Sequence, residues 1–165
     1  MQKLTALMLA LVCCSGAYAQ DERSVTSSGD YAMDLGQVYG AIRSAKFMGD
    51  ICTESFPEQR QSNAAAFAQW RTRYLPFLQE MEKHFSAMAW RESGGDPQKH
   101  VKFLADAEKS FDGYRAALKS QMTSDGPGAF ASQCKAYPTY LASDRMDLEQ
   151  YYAEQVAVVR KGPAQ

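Results

Sequence analysis

Apolar residues recur at the spacing of an α-helix along almost all of the chain that follows residue 30. Four segments carry this pattern, with apolar positions three, four or seven residues apart, and no segment shows the strict alternation of a half-buried strand. Turn-forming residues separate the segments, most clearly at 94–95 and at 125–128. Short turns between long helices make sequential neighbours antiparallel. The sequence therefore predicts an all-α fold, an antiparallel up-down four-helix bundle in a single domain over residues 31–161.

The first two predicted helices differ in regularity. Helix 1 is expected over about residues 31–54, with Asp30 as its N-cap. Three glycines lie within it, and they either allow close contact with a neighbouring helix or leave this helix imperfect: Gly36, Gly40 and Gly49. The second helix keeps its apolar face in phase on both sides of Pro76. We therefore expect one long second helix that is kinked at this proline and ends at residues 94–95.

The last two predicted helices begin with clear start signals. Asp96 is the expected N-cap of the third helix, and Pro97 suits its first position because an N–H group would have no helical partner there. The fourth helix is expected over about residues 127–161, with an interruption near Pro138 that either bends it or splits it in two. Residues 162–165 then form a short tail.

The N-terminus has the three parts of a secretory signal peptide. Lys3 supplies the positive start, residues 4–12 the apolar run, and residues 17–19 the small-x-small cleavage site. The apolar run is shorter than the roughly 20 residues that a membrane-spanning helix needs, so no transmembrane segment is expected. We expect cleavage between Ala19 and Gln20, and a periplasmic or secreted protein.

Cleavage at this site removes residues 1–19 and with them two of the four cysteines. The alternative is a lipoprotein signal acylated at Cys14. It is disfavoured because Cys13 precedes that residue, where a small residue is usual. Cys52 and Cys134 remain, an even number in an oxidising compartment, and we expect them to form one disulfide. The predicted topology places both cysteines at the same end of the bundle, which agrees with this pairing.

Composition and charge exclude several classes of partner. Residues 20–30 are polar, with Val25 their only clearly apolar residue, so this stretch is expected to be a disordered leader. Lys and Arg together number 18 and Asp and Glu 19, which gives a formal net charge of −1. A nucleic-acid binder or an anionic-membrane binder would carry a basic surplus. Neither kind of partner is expected.

The sequence lacks recognisable motifs for catalysis or metal binding. Its two histidines, His84 and His100, belong to no zincin motif, Glu-x-x-His pair or c-type haem motif. A Gly-x-Ser-x-Gly elbow is also missing, and the two retained cysteines are assigned to structure. We therefore expect no catalytic site, no metal and no cofactor. A b-type haem held by His84 with Met81 or Met88 stays open as an alternative.

Aromatic residues are the more informative surplus. Trp, Tyr and Arg are enriched in binding hot spots, and the second and last helices each carry a cluster of them. The two clusters form the candidate partner surface: Trp70, Arg71, Arg73, Tyr137, Tyr140 and Tyr151. The alternative is that Tyr74 and Tyr152 are core residues and that Trp70 covers the edge of the bundle.

These observations favour an exported binding protein without a catalytic site, which recognises another protein as an inhibitor, an immunity factor or an accessory subunit. The alternative is a periplasmic carrier of a small hydrophobic ligand or b-type haem. Its binding space would be opened by the glycines of helix 1 and the kink at Pro76. A third hypothesis, an enzyme, would use His84 beside helical carboxylates such as Glu80 and Glu82.

Overall fold

A computed structural model describes residues 26–163 of this chain. All regular secondary structure within this range is helical. Seven α-helices occur in this range: α1 (Tyr31–Ser55), α2 (Arg60–Arg73), α3 (Leu75–Glu92), α4 (Pro97–Thr123), α5 (Pro127–Leu141), α6 (Leu148–Tyr151) and α7 (Ala153–Lys161). Single 3₁₀ turns, Pro57–Gln59 and Asp144–Met146, precede α2 and α6. The all-α prediction is confirmed for these residues. The predicted signal peptide and most of the predicted leader lie outside them.

Helix α1 is the central element of the fold. Asp30 caps its N-terminus, because the side chain accepts a hydrogen bond from the amide of Met33 at 2.8 Å. The buried positions follow the predicted stripe, with Leu35, Val38 and Cys52 fully buried. This stripe packs against α2, α3, α4, α5 and α7, so most of the other helices are arranged around α1. Among the described helices, none combines the length and the apolar character that crossing a membrane requires.

The second predicted helix is interrupted at Tyr74, two residues before Pro76. The chain is helical on both sides of Tyr74, where φ is −105° and ψ is 15°. Proline lacks an N–H group, and its ring collides with the carbonyl four residues earlier, that of Thr72. The amide of Tyr74 still donates to the Trp70 carbonyl at 3.1 Å. The irregularity predicted at Pro76 is present, but it divides the segment into two helices, α2 and α3, where the sequence predicts one long kinked helix.

The turn between α3 and α4 has the expected chemistry. Gly94 and Gly95 have φ values of 65° and 73°, the left-handed region that favours glycine. Asp96 then caps α4, because its Oδ1 accepts hydrogen bonds from the amides of Gln98 at 2.8 Å and Lys99 at 3.1 Å. The predicted end of one helix and the predicted start of the next are both confirmed.

The prediction for the last helix is wrong about where it breaks. Pro138 lies inside α5, which continues to Leu141 without an interruption. The chain leaves the helical conformation only after α5, and again at Tyr152 between α6 and α7. Ser143 has an extended backbone, and its hydroxyl donates to the Tyr140 carbonyl at 2.7 Å. The same carbonyl also accepts the Ser143 amide at 3.1 Å, so Ser143 satisfies a carbonyl at the end of α5.

Cys52 and Cys134 form the predicted disulfide, with their Cα atoms 5.2 Å apart. Both are fully buried, and they pack with Ile51, Met122 and Phe130 in an apolar cluster separate from the main core. This cluster joins the ends of α1 and α4 to the first half of α5. The two cysteines are separated by 82 residues, for which loop closure in the unfolded chain gives a stabilisation of about 4–5 kcal/mol.

The last residues of the predicted leader belong to the fold. Asp34 is fully buried, and its carboxylate accepts hydrogen bonds from the Ser27 hydroxyl, the Ser28 amide at 2.9 Å and the Ser28 hydroxyl at 2.8 Å. The amide of Ser27 also donates to the Glu154 carboxylate of α7 at 3.1 Å. Residues 27–30 therefore correct the expectation of a disordered leader, because they connect the start of α1 to α7.

A buried tyrosine fills the space next to Gly49 of α1. Tyr137 of α5 is fully buried, and its hydroxyl donates to the carbonyl of Ala45 at 2.8 Å. A Cβ atom added at Gly49 would lie 2.6 Å from this hydroxyl oxygen and 2.9 Å from the adjacent ring carbon. Glycine at position 49 therefore lets α5 approach α1 closely.

Replacement of this glycine tests the close approach. Gly49→Ala is expected to lower the free energy of unfolding by about 1–3 kcal/mol, because the ring of Tyr137 has to leave its buried position. Urea denaturation followed by circular dichroism measures the change. Since the hydroxyl oxygen is the nearest atom, adding Tyr137→Phe should make the loss smaller than the sum of the two single losses. Strictly additive losses would contradict the proposed clash.

Asp34 is expected to make stability depend on pH in acid. Burial raises the pKa of this carboxyl, but the hydrogen bonds from Ser27 and Ser28 together outweigh burial and hold the pKa below its ordinary value. The contribution of Asp34 to stability is therefore complete above about pH 3.9 and is lost as the pH falls through the folded-state pKa. Asp34→Asn should cost about 1–3 kcal/mol at pH 7 and less at pH 3, by urea denaturation.

A matched aspartate on the surface controls for the change of charge. Asp112 of α4 is exposed and makes no hydrogen bond or ion pair with another described residue. Asp112→Asn should change stability by less than about 0.5 kcal/mol at either pH. A loss in Asp34→Asn that is the same at pH 7 and pH 3 would show that the carboxylate charge is not what stabilises the fold.

Candidate functional site

A cleft of about 710 Å³ lies between α1, α4 and the chain that runs from the end of α5 through α6. Pockets for small ligands commonly have volumes of about 300–1,000 Å³. Backbone at two glycines forms part of its lining, and four tyrosines form another part. We call it the tyrosine cleft and define it by these six residues: Gly36, Gly40, Tyr114, Tyr140, Tyr151 and Tyr152.

Two glycines of α1 expose backbone to the cleft. Gly36 and Gly40 are one helical turn apart, so they lie on the same face of the helix. A Cβ atom added at either position would meet no atom within 4 Å, in contrast to Gly49. Each glycine costs a helix interior about 1 kcal/mol relative to alanine. Packing therefore does not require glycine at either position, and both positions line the cleft.

The four tyrosines come from separate parts of the chain. Tyr114 lies on α4, and its hydroxyl is 2.7 Å from the hydroxyl of Ser44 on α1, so one hydrogen bond joins these two helices. The rings of Tyr151 and Tyr152 meet edge to face, with centroids 5.1 Å apart. Within residues 26–163, the hydroxyls of Tyr140, Tyr151 and Tyr152 have no hydrogen-bond partner. Three phenolic groups thus remain available to a ligand.

Two of these phenols have pKa values above the ordinary value. Burial raises the pKa of Tyr140, and the positive charge of Arg145 lowers it by a smaller amount. Burial also raises the pKa of Tyr152. Both side chains are therefore neutral near pH 7, and their hydroxyls act as hydrogen-bond donors as well as acceptors.

Arg145 is the single charged side chain that lines the tyrosine cleft in the described structure. It lies in the 3₁₀ turn before α6, and its guanidinium makes no ion pair or hydrogen bond with any other described residue. Asp144 and Asp147 are close to it in sequence but do not line the cleft. Asp147 instead caps α6, since its side chain accepts a hydrogen bond from the amide of Gln150 at 3.3 Å. The cleft therefore has one cation and no carboxylate.

Neither histidine lines this cleft. The Nδ1 atom of His84 is 3.3 Å from the Tyr31 hydroxyl, and the ring of His100 packs edge to face against Trp90. Met81, one of the methionines considered as an axial haem ligand, is fully buried. Throughout the part of the chain that is described, no three His, Cys, Asp or Glu side chains are grouped to hold a metal ion. A haem bound by His84 would therefore not lie in the tyrosine cleft.

Two residues of the predicted partner surface belong to the core. Trp70 is buried, and its indole N–H donates to the Met146 carbonyl at 2.9 Å. Tyr137 is fully buried against α1, with its hydroxyl bonded to Ala45. Their assignment to a partner surface is wrong, because both aromatic side chains are enclosed and both polar groups are satisfied within the chain.

The other four residues of that predicted surface separate into two places. Arg71 and Arg73 are exposed on α2. Tyr140 and Tyr151 are half-buried and line the tyrosine cleft. The structure therefore brings the tyrosines of the last cluster together, but it does not bring the arginines of the second helix to them.

Sequence reasoning misses two residues of the cleft. Tyr114 falls on the apolar stripe of the third predicted helix, which makes it indistinguishable from a core residue by periodicity. Arg145 carries no signal at all, because the sequence pattern places it within the helical segment that follows the interruption expected near Pro138. The glycines Gly36 and Gly40 do carry a signal, since two residues of poor helix propensity one turn apart need an explanation.

Comparison with protein families, characterised proteins and solved structures finds no match to this chain. The geometry and chemistry of the described residues are therefore the basis for assigning a function.

Proposed function

We propose that this protein is an exported carrier of a small hydrophobic ligand, which it holds in the tyrosine cleft. The observation that carries the proposal is the pair Gly36 and Gly40. These glycines weaken α1 and are not required by its packing, yet they leave backbone open to a cleft of ligand size. Aromatic rings, thioethers and a small number of polar groups complete a lining typical of small-molecule sites.

The chemistry of the lining supports binding rather than catalysis. Arg145 is its one charged group, and an arginine does not exchange protons near neutral pH. The raised pKa values of Tyr140 and Tyr152 keep both phenols fully protonated at pH 7, so neither is in the form that accepts a proton there. His84, the residue on which the enzyme hypothesis rests, contacts Tyr31 instead. We therefore assign the cleft no catalytic role.

Export and chain topology are part of the same proposal. Cleavage between Ala19 and Gln20 would release the chain into an oxidising compartment, and the buried disulfide Cys52–Cys134 is compatible with such a compartment. We infer an up-down arrangement in which α2 and α3 act as one bent second helix, α4 as the third, and α5 to α7 as a broken fourth. Contacts between α3 and α4, and between α4 and α5, support this order.

Alanine substitutions in α1 test the carrier function. Gly36→Ala and Gly40→Ala should each raise the free energy of unfolding by up to about 1 kcal/mol, because alanine is the better helix former and no atom opposes its methyl group. Both should weaken binding of N-phenyl-1-naphthylamine, a neutral fluorescent probe, at least fivefold. Fluorescence titration measures the binding, and urea denaturation measures the stability.

Gly113 of α4 provides the matched control. A Cβ at this position also meets no atom within 4 Å, and Gly113 does not line the cleft. Gly113→Ala should stabilise the protein by a similar amount and leave probe binding unchanged. If the unmodified protein shows no saturable binding, or if all three variants bind the probe equally well, the tyrosine cleft is not a ligand site.

Recognition of another protein, as an inhibitor, immunity or accessory protein, is the second candidate function. The observation that favours it is the exposure of apolar side chains where α3 meets α4. Trp90 is 47% exposed and Val101 is 67% exposed, and Trp90 packs against His100, the residue before Val101. Tryptophan is the residue type most typical of binding hot spots.

Substitution of this tryptophan tests the second candidate. The immobilised protein should enrich one partner from the envelope fraction or medium of its host, and Trp90→Ala should reduce that enrichment at least tenfold. Leu75→Ala is the control, because Leu75 is 38% exposed at the start of α3, the opposite end of that helix from Trp90. Equal recovery with both variants would show that this surface does not recognise a partner.

A further inference from the structure

We propose that the tyrosine cleft selects an aromatic monocarboxylate, with the carboxylate on Arg145 and the ring among the tyrosines. This inference rests on the proposed function and specifies its ligand. Among the described residues that line the cleft, Arg145 alone is charged, so the cleft favours an anion over a neutral or cationic molecule of the same shape. The expected ligand therefore has an apolar body and a negative end.

The guanidinium of Arg145, which is unpaired in the described structure, favours a ligand whose negative end is a carboxylate. Its guanidinium has no acidic partner among the described residues, although acidic residues are close in sequence. A guanidinium presents two parallel N–H groups that match the two oxygens of a carboxylate. A phosphate monoester carries a charge of about −1.5 to −2 near neutral pH, which a single arginine does not balance. A monoanion fits this cleft better.

The tyrosines supply the remaining polar contacts. Tyr140, Tyr151 and Tyr152 have hydroxyls without a partner in the described structure, and all three line the same cleft as Arg145. A phenolic O–H donates readily to a carboxylate oxygen, and such charge-assisted bonds are stronger than neutral ones. Arginine and tyrosine together can therefore satisfy more than two of the lone pairs of one carboxylate.

The walls of the cleft favour an aromatic body over an aliphatic chain. Phe111 lines the cleft together with the four tyrosines. Aromatic rings attract one another in offset-stacked and edge-to-face arrangements, which adds to the burial of their area. The backbone at Gly36 and Gly40 presents no side chain, so a flat molecule is able to approach α1 closely. A planar ring system is able to stack on the aromatic side chains and to lie against the backbone of α1 at the same time.

Calorimetric titration with matched compounds tests the inference. The probes are 2-naphthoate, the neutral 2-naphthalenemethanol, and decanoate, an aliphatic carboxylate. We expect 2-naphthoate to bind at least tenfold more tightly than either of the other two. Arg145→Gln should remove the preference for 2-naphthoate over the neutral alcohol while leaving affinity for the alcohol within twofold. Arg145→Lys should retain part of the preference, because it keeps the charge but loses the paired N–H groups.

Arg73→Gln is the control for net charge. Arg73 is exposed on α2 and does not line the cleft, so this variant loses the same charge and should keep the full preference. Equal binding of naphthoate and alcohol by the unmodified protein would overturn the carboxylate inference and leave the carrier function standing. Decanoate binding as tightly as 2-naphthoate would overturn the inference that the ligand is aromatic. An unchanged preference in Arg145→Gln would overturn the role of this arginine.

Failure of the proposed function has a different signature. In that case none of the three compounds would bind to the unmodified protein, and the glycine variants would not differ from it in probe binding. Binding of the neutral probe that is sensitive to Gly36→Ala, without any preference for a carboxylate, would instead contradict only the inference about the ligand.

Discussion

The close contact between α5 and α1 is the constraint on which the rest of the structure depends. It is made by the disulfide at one point and, one turn further along α5, by the hydroxyl of Tyr137 on the Ala45 carbonyl beside Gly49. Because α5 is held at both points, its last turn is also fixed. Tyr140 lies three residues after Tyr137 and faces the tyrosine cleft. The contact between α1 and α5 therefore also fixes the position of Tyr140 in the tyrosine cleft.

The glycines of α1 differ in what surrounds them. At Gly49 a side chain would collide with a buried ring, so glycine is required by packing. At Gly36 and Gly40 a side chain would meet nothing, so glycine is required only if something else has to occupy the space. The free energy lost in helix propensity is similar at all three positions. Only the structure distinguishes Gly49, which packing requires, from Gly36 and Gly40, which packing does not require.

Local chemistry explains which parts of the fold are predictable from the sequence. Asp96, the paired glycines before it and the two retained cysteines act through backbone geometry or covalent bonding, and their roles are confirmed. Pro138 misleads, because a proline within a helix is tolerated where the surrounding packing is strong. Trp70 and Tyr137 also mislead, because whether an aromatic ring faces the core or solvent depends on tertiary contacts. Arg145 lies shortly after the end of α5, and no residue pattern in the sequence predicts that this helix ends there.

Helix α4 forms the wall of the cleft that the core holds least strongly. Among its 27 residues only Met122 is buried, and that residue lies at its C-terminal end near the disulfide. Elsewhere α4 contacts α1 through the half-buried Phe111, which packs on Tyr39, and through the Tyr114–Ser44 hydrogen bond. The ion pairs between the two helices lie at the surface and contribute little to stability. Local opening is easiest where few apolar contacts are buried. A ligand between α1 and α4 would supply the apolar contacts that the core leaves out, and would thereby stabilise the fold in proportion to its affinity.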